Sequence, residues 1–468
     1  MRPAAAFAVA FSAALLLSSC AVGPNYKRPA VQVPNQFRSA DPLADTRSLA
    51  ELKWFDLFED AVLKQLVTSA LERNFDLRMA AERVLQARAQ LGVTRSDQFP
   101  TSDLAADFVA NRGSSAGAIP FIARGTNLDV SYTQVGFSLG WELDLWGRLR
   151  RLTEAARAQY LASEEARQGV ITTLISDVTS AYFSLRELDL ELEIARKTRA
   201  IAEDSLRLTQ LRHKQGAATG LDVHQAEQFL YTATAQIAST ERAISQTENV
   251  LSLLLGNSPS DIPRGKTLVE FQAPPQVPPG VPSALLERRP DIRQAERILI
   301  AANAQIGAAR AQYFPQVSLT GFLGGQSRAL TDLFSGPARS WSFAPGALLP
   351  IFNAGRIRST VRFTEAQQRE ALISYERTIQ NAFREVSDAL IGYRKTVEQR
   401  AQQELLVEAL RETERLSTLR YRGGLDSYLQ VLDAERNLFQ GELTLARLRQ
   451  QELDAIVQLY RALGGGWS

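Results

Sequence analysis

The single cysteine of the chain, Cys20, stands where a lipid could be attached. It follows an apolar stretch at 4–17, which has the length of a signal-peptide core and is too short to span a membrane. Small residues, Ser18 and Ser19, precede the cysteine, as in a bacterial lipobox. We therefore expect a signal peptide at 1–19 and lipidation at Cys20. The alternative is a plain secretory signal in which the cysteine is incidental.

The two histidines are the other candidates for chemistry. His213 and His224 flank a predicted turn and could bind a metal across it, but the chain has no second cysteine to complete a ligand set. Exposed turn residues are the simpler interpretation. The sequence favours no phosphate loop and no catalytic triad, so we expect no enzymatic activity, no cofactor and no metal. Charges nearly cancel, with 53 Lys and Arg against 51 Asp and Glu, which argues against nucleic acid as a partner.

The second half of the chain repeats the first. Asp76 aligns with Asp291 in one frame, and Gly147 aligns with Gly355 in a frame that differs only slightly. Each copy is far longer than a solenoid repeat, so we expect two large homologous units. The expected organisation follows the chain in this order: a lipidated N-terminal segment at 20–58, a first repeat at 59–256, a Pro-rich linker at 257–283, a second repeat at 284–464 and a tail at 465–468.

Both copies predict the same order of elements: a helix, two strands, a long helix, a turn and a returning helix. The first copy predicts helices at 60–97, 149–214 and 221–255 and strands at 103–109 and 133–143. The second predicts helices at 283–312, at 357–422 and from the next turn to 463, with strands at 316–325 and 340–349. The segment 21–58 has no regular pattern, and we expect it to lie against the helices.

The strand at 133–143 alternates large apolar residues with small or polar ones, so one face suits lipid and the other a water-filled lumen. Four predicted strands cannot close a barrel, and open sheet edges cannot lie in hydrocarbon. We therefore expect the chain to oligomerise, and this argument allows either a dimer or a trimer. The alternative is a soluble sheet packed under the helices.

The predicted helices are too long for a compact globule. The segment 149–214 contains no proline, and its apolar residues follow a coiled-coil spacing. Such helices span a distance, and a ring of them would leave a hollow core. The predicted fold is mainly α with a small β part, made of long antiparallel helical hairpins and four membrane β-strands per chain.

Three stretches of the sequence resemble the outer-membrane efflux proteins. These are 20–26, 286–292 and 425–467, and the similarity is to the TolC-like channels, in the lipoprotein branch called NodT-type. The resemblance covers the mature chain and implies a homotrimer, with a twelve-stranded barrel on a helical tunnel (an α-barrel). It also implies two partners, a periplasmic adaptor (a membrane fusion protein) and an inner-membrane pump of the resistance-nodulation-division (RND) class.

The resemblance also implies a gate at the periplasmic helix tips. Leu429 and Asp433 are four residues apart, share a helix face, and match the positions where relatives place an apolar and an acidic constriction. Three such carboxylates around a narrow axis would repel each other and attract cations. The alternative is a solvated Asp433 that pairs with Arg436 or Arg420.

The resemblance also makes Arg420, Tyr421 and Asp426 candidates for contacts that lock the closed tip. The first copy has Gln225 where the second has Asp433, so we expect an asymmetric gate.

The expected function is that of a passive conduit in the outer membrane of a Gram-negative bacterium. It would be lipid-anchored, would extend into the periplasm, and would export drugs, metals or other small molecules. A channel for type I protein secretion is the alternative, because the duct would be the same and the pump would select the cargo. A periplasm-spanning structural tether without a lumen is the remaining alternative.

Overall fold

The computed structural model describes residues 21–38, 48–49, 58–114, 128–271 and 280–465. Cys20, the predicted signal peptide and the end of the predicted tail lie outside the described residues. The described chain is mainly helical with one small antiparallel sheet, which confirms the predicted fold class. None of the described helices combines the length and the apolar character needed to cross a membrane.

The helices and strands recur in the same order in both halves. The first half contains α1 (Ala61–Arg73), α2 (Phe75–Ser96), β1 (Thr101–Arg112), β2 (Asp129–Leu143), α3 (Arg148–Lys214) and α4 (Gly220–Leu254). The second contains α5 (Leu285–Arg288), α6 (Pro290–Ala311), β3 (Gln316–Ser327), β4 (Arg339–Leu348), α7 (Arg356–Arg422) and α8 (Tyr428–Ala462). The long helices α3 and α7 each have 67 residues, and their partners α4 and α8 each have 35.

The chain divides into two compact units. The first consists of the described residues within 1–29, 85–162 and 296–374, and it contains the sheet. The second consists of the described residues within 30–84, 163–295 and 375–468, and it contains most of α3 and α7 together with α4 and α8.

The prediction of a single helix at 60–97 is wrong, because the helix is interrupted at Asn74. The Asn74 side-chain oxygen accepts a hydrogen bond from the Leu77 amide (3.0 Å), and its side-chain nitrogen donates to the Leu254 carbonyl (2.9 Å). Asn74 therefore caps α2 and ties it to the end of α4.

The single helix predicted at 283–312 breaks at the equivalent place in the second half. Arg289 precedes Pro290, which disfavours a helical backbone at Arg289 and suits the first turn of a new helix. The Arg289 guanidinium donates to the Ala462 carbonyl (2.9 Å) and to the Asp291 and Glu385 carboxylates (both 2.7 Å). In both repeats, therefore, the residue at the helix break donates a hydrogen bond to the C-terminal end of the returning helix, α4 or α8.

The sheet has the order β1-β2-β3-β4, with every neighbouring pair antiparallel. The register aligns four large apolar residues in one row across it, and all four side chains are mostly exposed: Leu104, Phe137, Leu323 and Trp341. Strands β1 and β4 form its two edges. One face of the sheet is thus strongly apolar and without cover in the described chain.

The N-terminal segment 21–29 lies in the first unit with the start of α3 and with α6. The Val22 amide donates to the Trp146 carbonyl (3.0 Å), and Arg151 donates to the Val22 carbonyl (3.2 Å). Gly23 lies so close to Gly307 that a Cβ on Gly23 would be 2.4 Å from the Gly307 Cα. Only glycine fits this crossing.

Asp60 joins three segments of the second unit. One carboxylate oxygen accepts from the Val62 amide (2.7 Å) and the Leu63 amide (3.2 Å), which caps α1. The other accepts from the Tyr182 hydroxyl and the Lys266 amide (both 3.0 Å). Asp60 is buried, so water has little access to replace its carboxylate as the acceptor for these donors.

We expect Asp60→Ala to lower the free energy of unfolding by about 3 kcal/mol, because it removes the acceptor of four hydrogen bonds, two of them buried. Thermal unfolding of the detergent-solubilised protein, followed by circular dichroism, measures the loss. Glu59→Ala, at the exposed neighbouring position, is the control. Equal melting temperatures for the two variants would contradict this role of Asp60.

Candidate functional site

The two helical hairpins of the second unit turn by the same local structure. At the end of α3, the Ala217 amide donates to the Arg212 carbonyl (2.8 Å), and Gly216 has φ +75°. At the end of α7, the Leu425 amide donates to the Arg420 carbonyl (2.9 Å), and Gly424 has φ +74°. Glycine adopts this left-handed conformation without strain, so it ends both long helices at equivalent places.

The turn after α7 carries a charged clasp. The Arg420 guanidinium donates to both carboxylate oxygens of Asp426, at 2.5 and 3.2 Å. These hydrogen bonds, more than the accompanying attraction of charges, hold the pKa of Asp426 below its usual range. Arg420 and Asp426, two of the three residues predicted to make tip contacts, are therefore in direct contact.

Tyr421, the third candidate, ties this turn to α3. Arg212 donates to the Tyr421 carbonyl (2.9 Å) and the Arg422 carbonyl (3.2 Å). Its guanidinium also lies 4.2 Å from the centre of the Tyr421 ring, as a cation–π contact. A cation at the C-terminal carbonyls of α7 is favoured by the helix dipole.

The two gate candidates lie on an exposed face of α8. Leu429 is 52% exposed in the single chain, and Asp433 is also exposed. Asp433 accepts a hydrogen bond from the Asn437 side chain (3.1 Å). Of the two arginines considered as partners for Asp433, Arg420 pairs with Asp426 and Arg436 donates to Gln228 (3.1 Å). Leu429 and Asp433 are thus free to face other molecules or other copies of the chain.

The opposite face of α8 holds a buried acid that the sequence analysis missed. Glu435 accepts a hydrogen bond from the Ser205 hydroxyl of α3 (2.7 Å). Burial raises its pKa to about 7, and Glu414 adds to the rise while the Ser205 bond opposes it. The available signal was the helical pattern, because Glu435 occupies the apolar face with Leu432 and Phe439.

The histidines have separate partners. His213 Nδ1 lies 2.9 Å from the Ala218 carbonyl oxygen, and His224 Nδ1 lies 2.9 Å from a Glu227 carboxylate oxygen. Within the described ranges, no three His, Cys, Asp or Glu side chains are grouped so that they could hold a metal.

Comparison with known proteins identifies the family. The family model "Outer membrane efflux protein" matches residues 66–257 and 281–465. The chain is 40% identical over 462 residues to the solvent efflux pump outer membrane protein SrpC of Pseudomonas putida, covering 97% of each. It is 36% identical to the cation efflux system protein CusC of Escherichia coli O6:H1, covering 98% of each.

A solved structure agrees with this match. The open state of the MtrE outer membrane channel of Neisseria gonorrhoeae superposes with a TM-score of 0.85 at 32% identity, covering 96% of this chain and 99% of that one. This chain belongs to the outer membrane efflux protein family. It is an outer-membrane efflux channel, and its family and relatives are channels rather than enzymes.

We expect Arg212→Gln to loosen the turn after α7, because it removes two hydrogen bonds and the contact with the Tyr421 ring. Hydrogen–deuterium exchange at residues 423–425 should rise by about fivefold or more. Lys214→Gln, on an exposed side chain at the end of the same helix, serves as the control. Unchanged exchange in Arg212→Gln would rule out this bracing role.

Proposed function

We propose that the channel is a passive homotrimeric conduit in a tripartite efflux system. An inner-membrane RND pump would deliver small toxic molecules to it through a periplasmic adaptor. The names of the relatives support this, because one belongs to a solvent efflux pump and another to a cation efflux system. The similarity extends over almost the full length of both chains in each case.

The unpaired edges of the sheet are the observation that best supports a homotrimer. Its row of exposed apolar side chains suits lipid, while the outer backbone groups of β1 and β4 have no strand beside them within the four-stranded sheet. Each backbone group left unpaired in hydrocarbon costs several kcal/mol. Three copies joined edge to edge would supply twelve strands, enough for a closed barrel with a solute-sized lumen.

Lipid attachment at Cys20 gives the trimer a second contact with the outer membrane. Ala21, the next residue, lies against Gly147, just beyond the end of β2. Ala21 therefore lies near the end of the sheet whose apolar face suits lipid. This placement suits an anchor in the membrane that holds the strands.

Leu429 and Asp433 would form the gate at the periplasmic tips. Both side chains are exposed on one face of α8, whose other face is buried against the rest of the unit. In a trimer three copies of this face could meet around an axis, where the leucines would narrow the lumen and the carboxylates would favour cations. The Arg420–Asp426 clasp and the Arg212–Tyr421 contacts would hold the neighbouring turn in its closed form.

The experiment that tests this function measures conductance in planar lipid bilayers. Leu429→Ala combined with Asp433→Ala should raise the single-channel conductance about twofold or more, because the shorter side chains widen the constriction. Gln440→Ala, at another exposed position of α8, should leave the conductance unchanged. A purified chain that passes no current would refute the conduit, and equal conductance in both variants would refute the gate.

Cys20→Ser should abolish incorporation of radiolabelled palmitate in growing cells, because serine lacks the thiol that carries the lipid. The variant should still insert and form trimers, since the closed sheet alone suits the membrane. Cells making the wild-type protein without incorporating label would disprove lipidation.

A further inference from the structure

A cavity of about 690 Å³ lies near the tips of the long helices, between α3 and the paired helices α7 and α8. It has the size of a small-molecule site. Its apolar wall is formed by Ile201, Leu208, Leu211 and Val431. The exposed face of α8 that carries Leu429 and Asp433 is not part of this lining, so the cavity is separate from the proposed gate.

Three residues of this lining each carry a buried polar atom without a hydrogen-bond partner in the described chain. These atoms are Oε2 of Glu435 and the hydroxyl oxygens of Tyr421 and Tyr428. The three residues are only 5%, 6% and 2% exposed, respectively. The two tyrosine rings are 5.6 Å apart between their centres. Buried polar atoms are normally satisfied, so three orphans on residues that line one cavity indicate a missing occupant.

The charged groups around the cavity make an anion a poor occupant. Asp204 and Arg207 pair with each other, and Arg212 is occupied by two backbone carbonyls. Glu414 lies near enough to raise the pKa of Glu435. An anion beside Glu435 would therefore meet two carboxyl groups. The other two cations of the lining are Arg212, which donates to backbone carbonyls, and Arg422.

We propose that this cavity binds a primary ammonium group carried by an apolar molecule. An ammonium has three donors, and three residues of the lining carry an unpartnered oxygen, one of them on a carboxylate. The Tyr428 ring favours a cation nearby, whereas the Tyr421 ring already faces the Arg212 guanidinium. The aliphatic wall would take the apolar part of the ligand. The site is independent of the conduit, because it depends only on the packing of α3, α7 and α8.

Binding should depend on pH with a defined sign. Burial raises the pKa of Glu435 to about 7, so its carboxyl is largely protonated below that pH and ionised above it. Only the ionised form can pair with an ammonium. Affinity should therefore increase as the pH rises from 5.5 to 8, a range in which a primary alkylamine stays protonated.

Isothermal titration calorimetry of the detergent-solubilised full chain tests the proposal, with 2-phenylethylammonium as the probe and 2-phenylethanol as its uncharged match. At pH 8 the ammonium should bind at least about tenfold tighter than the alcohol, the effect of a hydrogen bond to a charged group. Glu435→Gln should remove that preference while keeping the shape of the side chain. Tyr428→Phe should weaken binding of the ammonium but not binding of the alcohol.

Glu408→Gln, at an exposed position of α7, is the matched control and should bind like the wild type. Absence of heat from both probes, or equal affinity of the ammonium and the alcohol, would overturn the proposal. So would a Glu435→Gln variant that binds the ammonium as tightly as the wild type. Circular dichroism of each variant separates loss of binding from loss of folding.

Discussion

Backbone hydrogen bonding at the edges of the sheet is the constraint on which the account of the channel depends. A strand inside hydrocarbon must pair along both sides, because lipid offers no donor or acceptor. The four strands pair with each other through the registers of β1 with β2, β2 with β3 and β3 with β4, and β1 and β4 remain as edges. In the proposed homotrimer, oligomerisation would be part of folding in the membrane, because neighbouring copies would complete the sheet.

The internal repeat explains how one chain can contribute equivalent elements and different chemistry. The glycine-terminated turns of both hairpins are built alike, at Gly216 and Gly424. The residues that follow them differ. The second turn is clasped by Arg420 and Asp426, whereas the first begins α4 with a capping box between Thr219 and Asp222. Duplication preserved the backbone geometry while the side chains at the tips diverged.

Much of the fold could be predicted from the sequence. Long helices without proline and glycine turns are local signals, so α3, α4 and α7 were placed to within one or two residues, and so was the end of α8. The alternation of apolar and polar residues located β2, a weaker pattern located β1, and the internal repeat located β3 and β4. Strand β1 extends further in both directions than predicted, and β2 begins earlier. The helix breaks were missed. Asn74 depends on a carbonyl far along the chain, at Leu254, and no local pattern records such a contact.

The site was only partly predictable for the same reason. The resemblance to the family pointed to Leu429 and Asp433, and the structure leaves both exposed on α8. Glu435 was not predicted as part of a site, because an acidic residue in a helical sequence is expected to face solvent. Only the packing of α3 against α8 shows that it is buried. The lipidation of Cys20 remains a prediction, since that residue lies outside the described ranges.

Native mass spectrometry of the detergent-solubilised mature protein tests the central claim most directly. If unpaired strand edges force the chain to associate, the spectrum should show three copies as the main species, without free chains at micromolar concentration. A stable monomer would mean that the edges of β1 and β4 need no neighbour, and the account of the closed sheet would be wrong.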